Sequence, residues 1–333
     1  MKPGFGQLQR IATLANSGSL FGVVYMVLGL LAFAIQDSIV KQLSLNYPVL
    51  ELLTLRSLVV QLGLTAIIFY AGRRGAVGPS GRSLFHTSRP VLLLIRGVFA
   101  FFAFTAYYLA LSRMPIADAA AIYMTAPLFV TALSVPFLKE KVGLHRAAAV
   151  IVGFLAALTM IRPGSSVFQV VAVLPLFSAI AYAFIPIVNR KIGMSQPALT
   201  MGFYTTTSYL GFCVIAYFLV HFIGWQVDSD SVFANLTEHW RPMTFPHMAW
   251  ITVSGLLFIC GLLGLTQTYR LLPVSMVAPF EYSYLIWATL LGFLVFGEFP
   301  GLHTLLGGLV IVLCGCYITY REHNGKAAAR PTS

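Results

Sequence analysis

Pro115–His145 reads PIADAAAIYMTAPLFVTALSVPFLKEKVGLH, and Pro273–His303 reads PVSMVAPFEYSYLIWATLLGFLVFGEFPGLH. Laid over each other without a gap, the two 31-residue segments agree at Pro115/Pro273, Ala120/Ala278, Thr131/Thr289, Leu133/Leu291, Glu140/Glu298, Gly143/Gly301, Leu144/Leu302 and His145/His303. Self-similarity at this distance marks a duplicated chain. The residues between the shared positions are apolar enough to cross a bilayer. Duplication in a hydrophobic chain points to a carrier, because two related halves can rock about a site between them.

Composition agrees. Hydrophobic residues make up 58% of the 333 residues and charged ones 9%, with a mean hydropathy of +0.84. That leaves too little polar surface to cover a soluble globule. The longest polar interruption, roughly residues 224–247, has the length of a loop, so one membrane domain is expected. The net charge of +11 is spread over short loops, without a basic helix or an RNA-binding signature, and gives no reason to expect nucleic acid. Cys213, Cys260, Cys314 and Cys316 all fall in apolar segments without C-x-x-C or C-x-x-H spacing and read as packing residues, not metal ligands.

A helix needs about 20 apolar residues to cross. Ten such stretches are present, at residues 20–40, 49–70, 91–111, 116–138, 145–161, 167–188, 197–220, 248–269, 273–296 and 302–320. With a cytoplasmic N-terminus the inner segments carry fifteen Lys and Arg residues and the outer ones only Lys41, Arg113, Arg162 and Arg241. This bias puts both termini in the cytoplasm, residues 71–90 inside and 224–247 outside. Five helices per half is an odd number, so the second copy enters the membrane in the opposite sense and the repeat is inverted. Weaker pairings, Ile39-Val40 with Ile187-Val188 and Pro48 with Pro197, fit the same duplication, each proline opening the following helix. The expected organisation is a segment 1–19, a first repeat 20–162, a second repeat 163–320 and a tail 321–333.

The ends of the two halves carry P-x4-A…P-L-F…F-L-x-E-x-x-G and A-P-F-E-Y…F-G-E-x-P. With ten helices in two five-helix halves, this pattern resembles the EamA family of the drug/metabolite transporter superfamily over about residues 20–320. The resemblance implies a secondary carrier for amino acids, nucleotide-derived metabolites, vitamins or other small organic solutes, in an inner or plasma membrane, without a cofactor. A weaker likeness to the S-adenosylmethionine carriers of that family lies in D-x3-K (Asp37, Lys41), Arg56 and A-P-F-x-Y.

Ionisable side chains deep in a bilayer cost about 2.5–3.5 kcal/mol on insertion scales, so they face a partner or a wet cavity. Asp37, Arg56, Arg96 and Glu281 qualify. By depth, Asp37 and Arg56 lie toward the outer side, Arg96 and Glu281 toward the inner. Against a binding or coupling role stands a latching one: Asp37 with Lys41 one turn on, Arg96 snorkelling to the interface, Glu281 held by Arg270. Glu281 stands out, since it follows Pro279 and lies among Tyr282, Tyr284 and Trp287, where a carboxylate can exchange a proton between states. The duplicated Glu140 and Glu298 sit at helix ends and read as fixing those ends. Asp118 reads as an acid at the positive end of a helix dipole.

Pro127, Pro136, Pro175 and Pro186 interrupt the fourth and sixth helices, and such breaks occur where polar groups satisfy the freed backbone, as around a transport site. Near them lie Tyr107, Tyr108, Tyr123, Met124, Thr125, Ser178, Tyr182, Tyr204 and Gln267, a set suited to a flat or amphipathic solute, although tyrosines also populate aromatic belts. The candidate binding or coupling residues are therefore Glu281, Asp37, Arg56, Arg96, Tyr123, Tyr182, Tyr282 and Trp287. No catalytic residue and no metal site is read.

H-E-x-x-H, G-x-S-x-G and Walker motifs do not occur, and the seven histidines fall in loops or at helix ends, which argues against an intramembrane enzyme, a metal site or direct use of ATP. An enzyme and a pore remain the alternatives to a carrier, the pore lacking a filter-like segment. Phe5–Ser19 has helical apolar spacing and is expected to lie on the inner surface, with nothing that reads as a cleavable signal. The end after Glu322 is expected to be disordered. Asn235-Leu236-Thr237 is a glycosylation acceptor only in a secretory pathway. The expected partners are a small-molecule substrate and the lipid bilayer, with a homodimer left open.

Overall fold

A computed structural model describes the backbone of residues 5–75, 83–139, 143–161, 170–193, 196–224, 233–272 and 280–328. Glu140, Ser80, Pro273, Ala278 and Pro279 lie outside the described residues, as do residues 225–232 of the long loop and the side chain of Arg270. Every regular element among the described residues is helical. They are α1 (Phe5–Leu43), α2 (Val49–Arg73), α3 (Pro90–Leu111), α4 (Ile116–Tyr123), α5 (Ala126–Leu138), α6 (Leu144–Ile161), α7 (Val173–Ile192), α8 (Ala198–Ile223), a short α9 (Ala234–Thr237), α10 (Phe245–Leu271), α11 (Ser283–Phe296) and α12 (Leu302–Ala328).

Among the described residues, eight spans are long and apolar enough to cross a membrane: seven are single helices or the apolar part of one, and α4 with α5 forms the eighth. The apolar stretches Ser283–Phe296 and Leu302–Ile318 are shorter. Large apolar side chains point outward all round the bundle, among them Leu62, Phe102, Leu155, Phe218, Ile286 and Leu313. Polar groups such as Gln36, Asp37, Arg56 and Ser178 lie inside. This reverses the usual polar exterior and suits a hydrocarbon solvent, where every polar group needs an internal partner.

The fourth expected helix is not continuous. Pro127 has no N–H to donate to the carbonyl of Tyr123, so the chain turns at Met124 and Thr125 and starts a new helix with its proline in the first turn. The Thr125 hydroxyl donates to the Ile122 carbonyl at 2.7 Å and satisfies part of the break. In the other copy the turn falls at Tyr282, which caps α11. Both second pieces end in a left-handed residue, Lys139 at φ 57° and Gly297 at φ 66°. The following helices start at Leu144 and Leu302.

α1 runs without interruption from Phe5 to Leu43, so residues 5–19 continue the helix of the first span. One terminal expectation is corrected. The C-terminal helix runs on to Ala328, where alanines favour helix and no proline intervenes before Pro331.

The helices pair in a regular pattern. α1 packs along α10, α3 along α7, and α6 along α12; α2 and α8 touch, α8 also meets α3, and α10 also meets α2. The approach of α1 to α10 depends on small residues: a Cβ on Gly264 would stand 2.9 Å from the Tyr25 carbonyl oxygen. The Thr268 hydroxyl completes this contact by donating to the Gly22 carbonyl at 3.0 Å.

Candidate functional site

The most polar part of the interior is built around Asp37, about 9 Å from the C-terminal end of α1 at 1.5 Å per residue. Arg56 lies about two turns into α2. Both are almost fully buried, at 4% and 3% exposure. They do not form a direct ion pair; instead they share two neutral side chains. The Tyr108 hydroxyl donates to Asp37 and accepts from Arg56 Nη1 at 2.6 Å. Gln36 donates its amide N–H to Asp37 and accepts from Arg56 Nη1 at 3.1 Å. The second carboxylate oxygen of Asp37 accepts from the Tyr284 hydroxyl. The Arg56 guanidinium also lies 4.8 Å from the Tyr108 ring centroid and 5.2 Å from that of Phe258. A charge pair bridged this way keeps every carboxylate oxygen satisfied in a medium where an orphan costs several kcal/mol.

From this centre a line of tyrosines crosses the interior. The hydroxyls of Tyr284 and Tyr107 lie 2.8 Å apart. The Tyr107 ring packs on Tyr123 at 5.1 Å between centroids, and Tyr123 on Tyr182 at 5.5 Å. Tyr182 in turn lies in the fields of both Glu281 and Arg96. Asp37 and Arg56, expected from their depth to meet on the outer side, therefore share one polar and aromatic path with Tyr123 and Tyr182, and Arg96 and Glu281, expected to meet on the inner side, are charged neighbours of Tyr182.

Other expectations turn out differently. Lys41 does not latch to Asp37, although it follows one turn later. Its ammonium reaches Glu298 at 2.5 Å and the Met114 carbonyl at 2.8 Å. Glu298 also accepts from the backbone N–H of Ile116 at 3.1 Å, which ties the start of α4 to the loop before α12. Arg96 does not snorkel outward; its Nη1 donates into the bundle, to the Met201 carbonyl at 3.2 Å and to Thr205 of α8. Tyr282 turns away from the path and lays its hydroxyl over Gly315 of α12, among Ala121, Met160 and Ile311. Trp287 packs beside the main core, with its Nε1 buried and without a hydrogen-bond partner. Cys213 and Cys314 are buried, whereas Cys260 is exposed and not a packing residue.

Gln36 was not singled out in the sequence. Its signal was the Gln36-Asp37 dipeptide in the middle of an otherwise apolar helix, two neighbouring polar residues where one already costs free energy. The exchange of partners between Lys41 and Glu298 had no local signal, because it joins residues from opposite ends of the chain.

An all-helical bundle with an apolar exterior and a polar interior defines a multi-pass membrane protein. Residues 20–162 match the EamA-like transporter family. The first half of the chain thus carries an EamA-like transporter segment, and the chain as a whole is similar to curated small-molecule transporters, S-adenosylmethionine carriers among them. It is 25% identical over 321 residues to the S-adenosylmethionine uptake transporter of Rickettsia felis, covering 93% of this chain and 96% of that one. It is 26% identical to the pseudopaline exporter CntI of Pseudomonas aeruginosa, over 91% and 97% of the two chains. A riboflavin transporter of Vibrio cholerae is also 26% identical, over 91% and 94%. A solved structure described only as "Crystal structure of protein" shares the fold with a TM-score of 0.50 at 16% identity, over 89% of this chain and 96% of that one.

Proposed function

We propose that the chain is a secondary carrier of small organic metabolites, working by alternating access, with Asp37, Arg56, Tyr108 and Tyr284 as its binding and coupling centre. The observation that carries this reading is that Asp37 of α1 is held at once by Tyr108 of α3 and Tyr284 of α11. One buried carboxylate thus joins the two parts of the chain that the sequence repeat relates. Any rocking of one part against the other must rearrange its hydrogen bonds.

The inverted ten-helix organisation, with repeats at 20–162 and 163–320, draws support from the packing. Exchanging α1 with α7, α2 with α8, α3 with α10, α4 and α5 with α11, and α6 with α12 turns the observed helix pairs into one another: α1·α10 becomes α7·α3, and α3·α8 becomes α10·α2. The matching left-handed caps at Lys139 and Gly297 and the helix starts at Leu144 and Leu302 obey the same offset. In this reading the Lys41–Glu298 pair closes the outer side and opens when the carrier faces out. Both termini lie in the cytoplasm.

The printed activities of the relatives, S-adenosylmethionine uptake, pseudopaline export and riboflavin transport, support an amino-acid, S-adenosylmethionine-like or vitamin-like solute. A site of one acid, one arginine and several tyrosines suits a polar solute with a flat part. Coupling to protons or to a counter-solute fits the buried carboxylate. Protein reconstituted in liposomes tests the reading: saturable uptake of radiolabelled S-adenosylmethionine or riboflavin with counterflow supports it. Chemical conversion of the solute makes the chain an enzyme, and unsaturable ion current makes it a pore.

A further inference from the structure

We propose that a cavity between α2, α3, α8 and α10 is a binding site for a carboxylate-sized monoanion. It adjoins the centre described above through Arg56 but requires no transport to be occupied. Its volume is about 40 Å³, and its wall includes Arg56, Ser57, Phe104, Thr205, Tyr209 and Phe258. One water needs roughly 10–15 Å³ on this measure, so the space holds a group of about three heavy atoms. A whole metabolite, which fills a pocket of roughly 300–1,000 Å³, does not fit.

The sign of the ligand follows from the donors. Arg56 Nη1 is committed to Gln36 and Tyr108. Its Nε is buried and has no hydrogen-bond partner, and the Tyr209 hydroxyl on the facing wall is buried too, with the Thr105 hydroxyl and the Cys213 thiol beside it. Arg56 remains protonated at any physiological pH, so a cation is repelled and the missing group must accept hydrogen bonds. The Thr205 hydroxyl accepts from Arg96, whose own Nε is also buried without a partner, which brings a second guanidinium behind the wall. Asp37 offers this side no acceptor, because Gln36, Tyr108 and Tyr284 occupy its oxygens and Arg56 reaches it only through Tyr108 and Gln36. Buried donors without acceptors are rare in stable proteins, and a small anion in this cavity supplies the acceptor that Arg56 Nε lacks and meets the Tyr209 hydroxyl on the opposite wall.

The occupant is either the carboxylate end of an organic solute or a free inorganic anion of similar size. Thermal unfolding of the purified full chain in detergent separates these sources, with acetate or chloride replacing an equal concentration of a bulky sulfonate at constant ionic strength. A site that binds only the folded protein raises Tm in a saturable way. Acetate is expected to do so, and Tyr209→Phe to weaken its apparent affinity roughly tenfold by removing one charge-assisted hydrogen bond. Tyr204→Phe, whose hydroxyl donates to the Phe85 carbonyl away from the cavity, keeps the wild-type midpoint. Equal stabilisation by chloride identifies a free inorganic anion, whereas stabilisation confined to carboxylates identifies an organic one. No difference between acetate and the sulfonate, or an unchanged acetate midpoint in Tyr209→Phe, overturns the proposal. Neither readout involves flux, so a failure here leaves the carrier reading standing, and a failure of transport leaves the anion site standing.

Discussion

Lys41 and Glu298, 257 residues apart in the chain, meet in a 2.5 Å ion pair at one end of the bundle. The carboxylate also accepts from the first turn of α4, and the ammonium donates to the Met114 carbonyl. α1, α4 and the loop before α12 are therefore fastened at one point. The side chains are only 10% and 24% exposed, so solvent screens the pair little.

This geometry predicts a coupled pair. Lys41→Met and Glu298→Gln each leave one charged or polar partner uncompensated and should each destabilise the protein by about 2–3 kcal/mol, somewhat below the range for fully buried pairs. The double variant should recover at least half of the summed loss. Denaturant or thermal unfolding of all four proteins measures the coupling, and strictly additive losses would show that the contact carries no energy.

At Asp37 the expectation concerns function. Asp37→Asn preserves the size of the side chain but removes the negative charge and one acceptor from the network of Tyr108, Tyr284 and Gln36. If Asp37 carries the coupling proton, accumulation driven by a pH gradient disappears while exchange of labelled for unlabelled solute persists. Flux in proteoliposomes with and without the gradient decides. A normal gradient response in a well-folded Asn variant excludes Asp37 from coupling.

Glu281→Gln is the competing test, because Glu281 and Arg96 both act on Tyr182 at the far end of the tyrosine line. Loss of gradient-driven accumulation with intact exchange in this variant, beside a normal Asp37→Asn, moves the proton site to Glu281. If Glu281 is only a latch, Glu281→Gln lowers the unfolding midpoint, and the removal of a charge at Arg96 partly restores it.

The sequence exposed the apolar helices and the duplicated segment because both signals are local: hydropathy averages over a helix, and Pro115–His145 can be laid on Pro273–His303 by eye. It also exposed Asp37, Arg56, Arg96 and Glu281, since a charge inside an apolar helix is conspicuous. Their partners were not legible. Asp37 and Lys41 share a helix face by spacing, yet Lys41 is closer in space to Glu298, and only packing of α1 against the loop before α12 decides that. Tyr123 and Tyr282 looked equivalent as tyrosines near helix breaks. One faces the interior path and the other Gly315, because they stand one position apart in the repeat, about 100° around a helix, and hydropathy that is apolar all round does not encode which face turns inward.

The break between α4 and α5 gives the last test. Pro127 stands in the first turn of α5, where proline is compatible with the backbone, so Pro127→Ala should change stability by no more than about 1 kcal/mol. The restored N–H can donate to the Tyr123 carbonyl and favours one continuous helix through Met124 and Thr125. Straightening the chain there rotates α4 against α5 and moves Tyr123 from between Tyr107 and Tyr182, whose ring centroids now lie 5.1 Å and 5.5 Å away. Transport should fall about tenfold, the order expected when an aromatic contact of about 1.4 kcal/mol is lost, while Tm stays within a few degrees of wild type. Solute flux in liposomes measured beside thermal unfolding separates the two effects. Wild-type flux in Pro127→Ala would show that the broken helix has no part in the transport path.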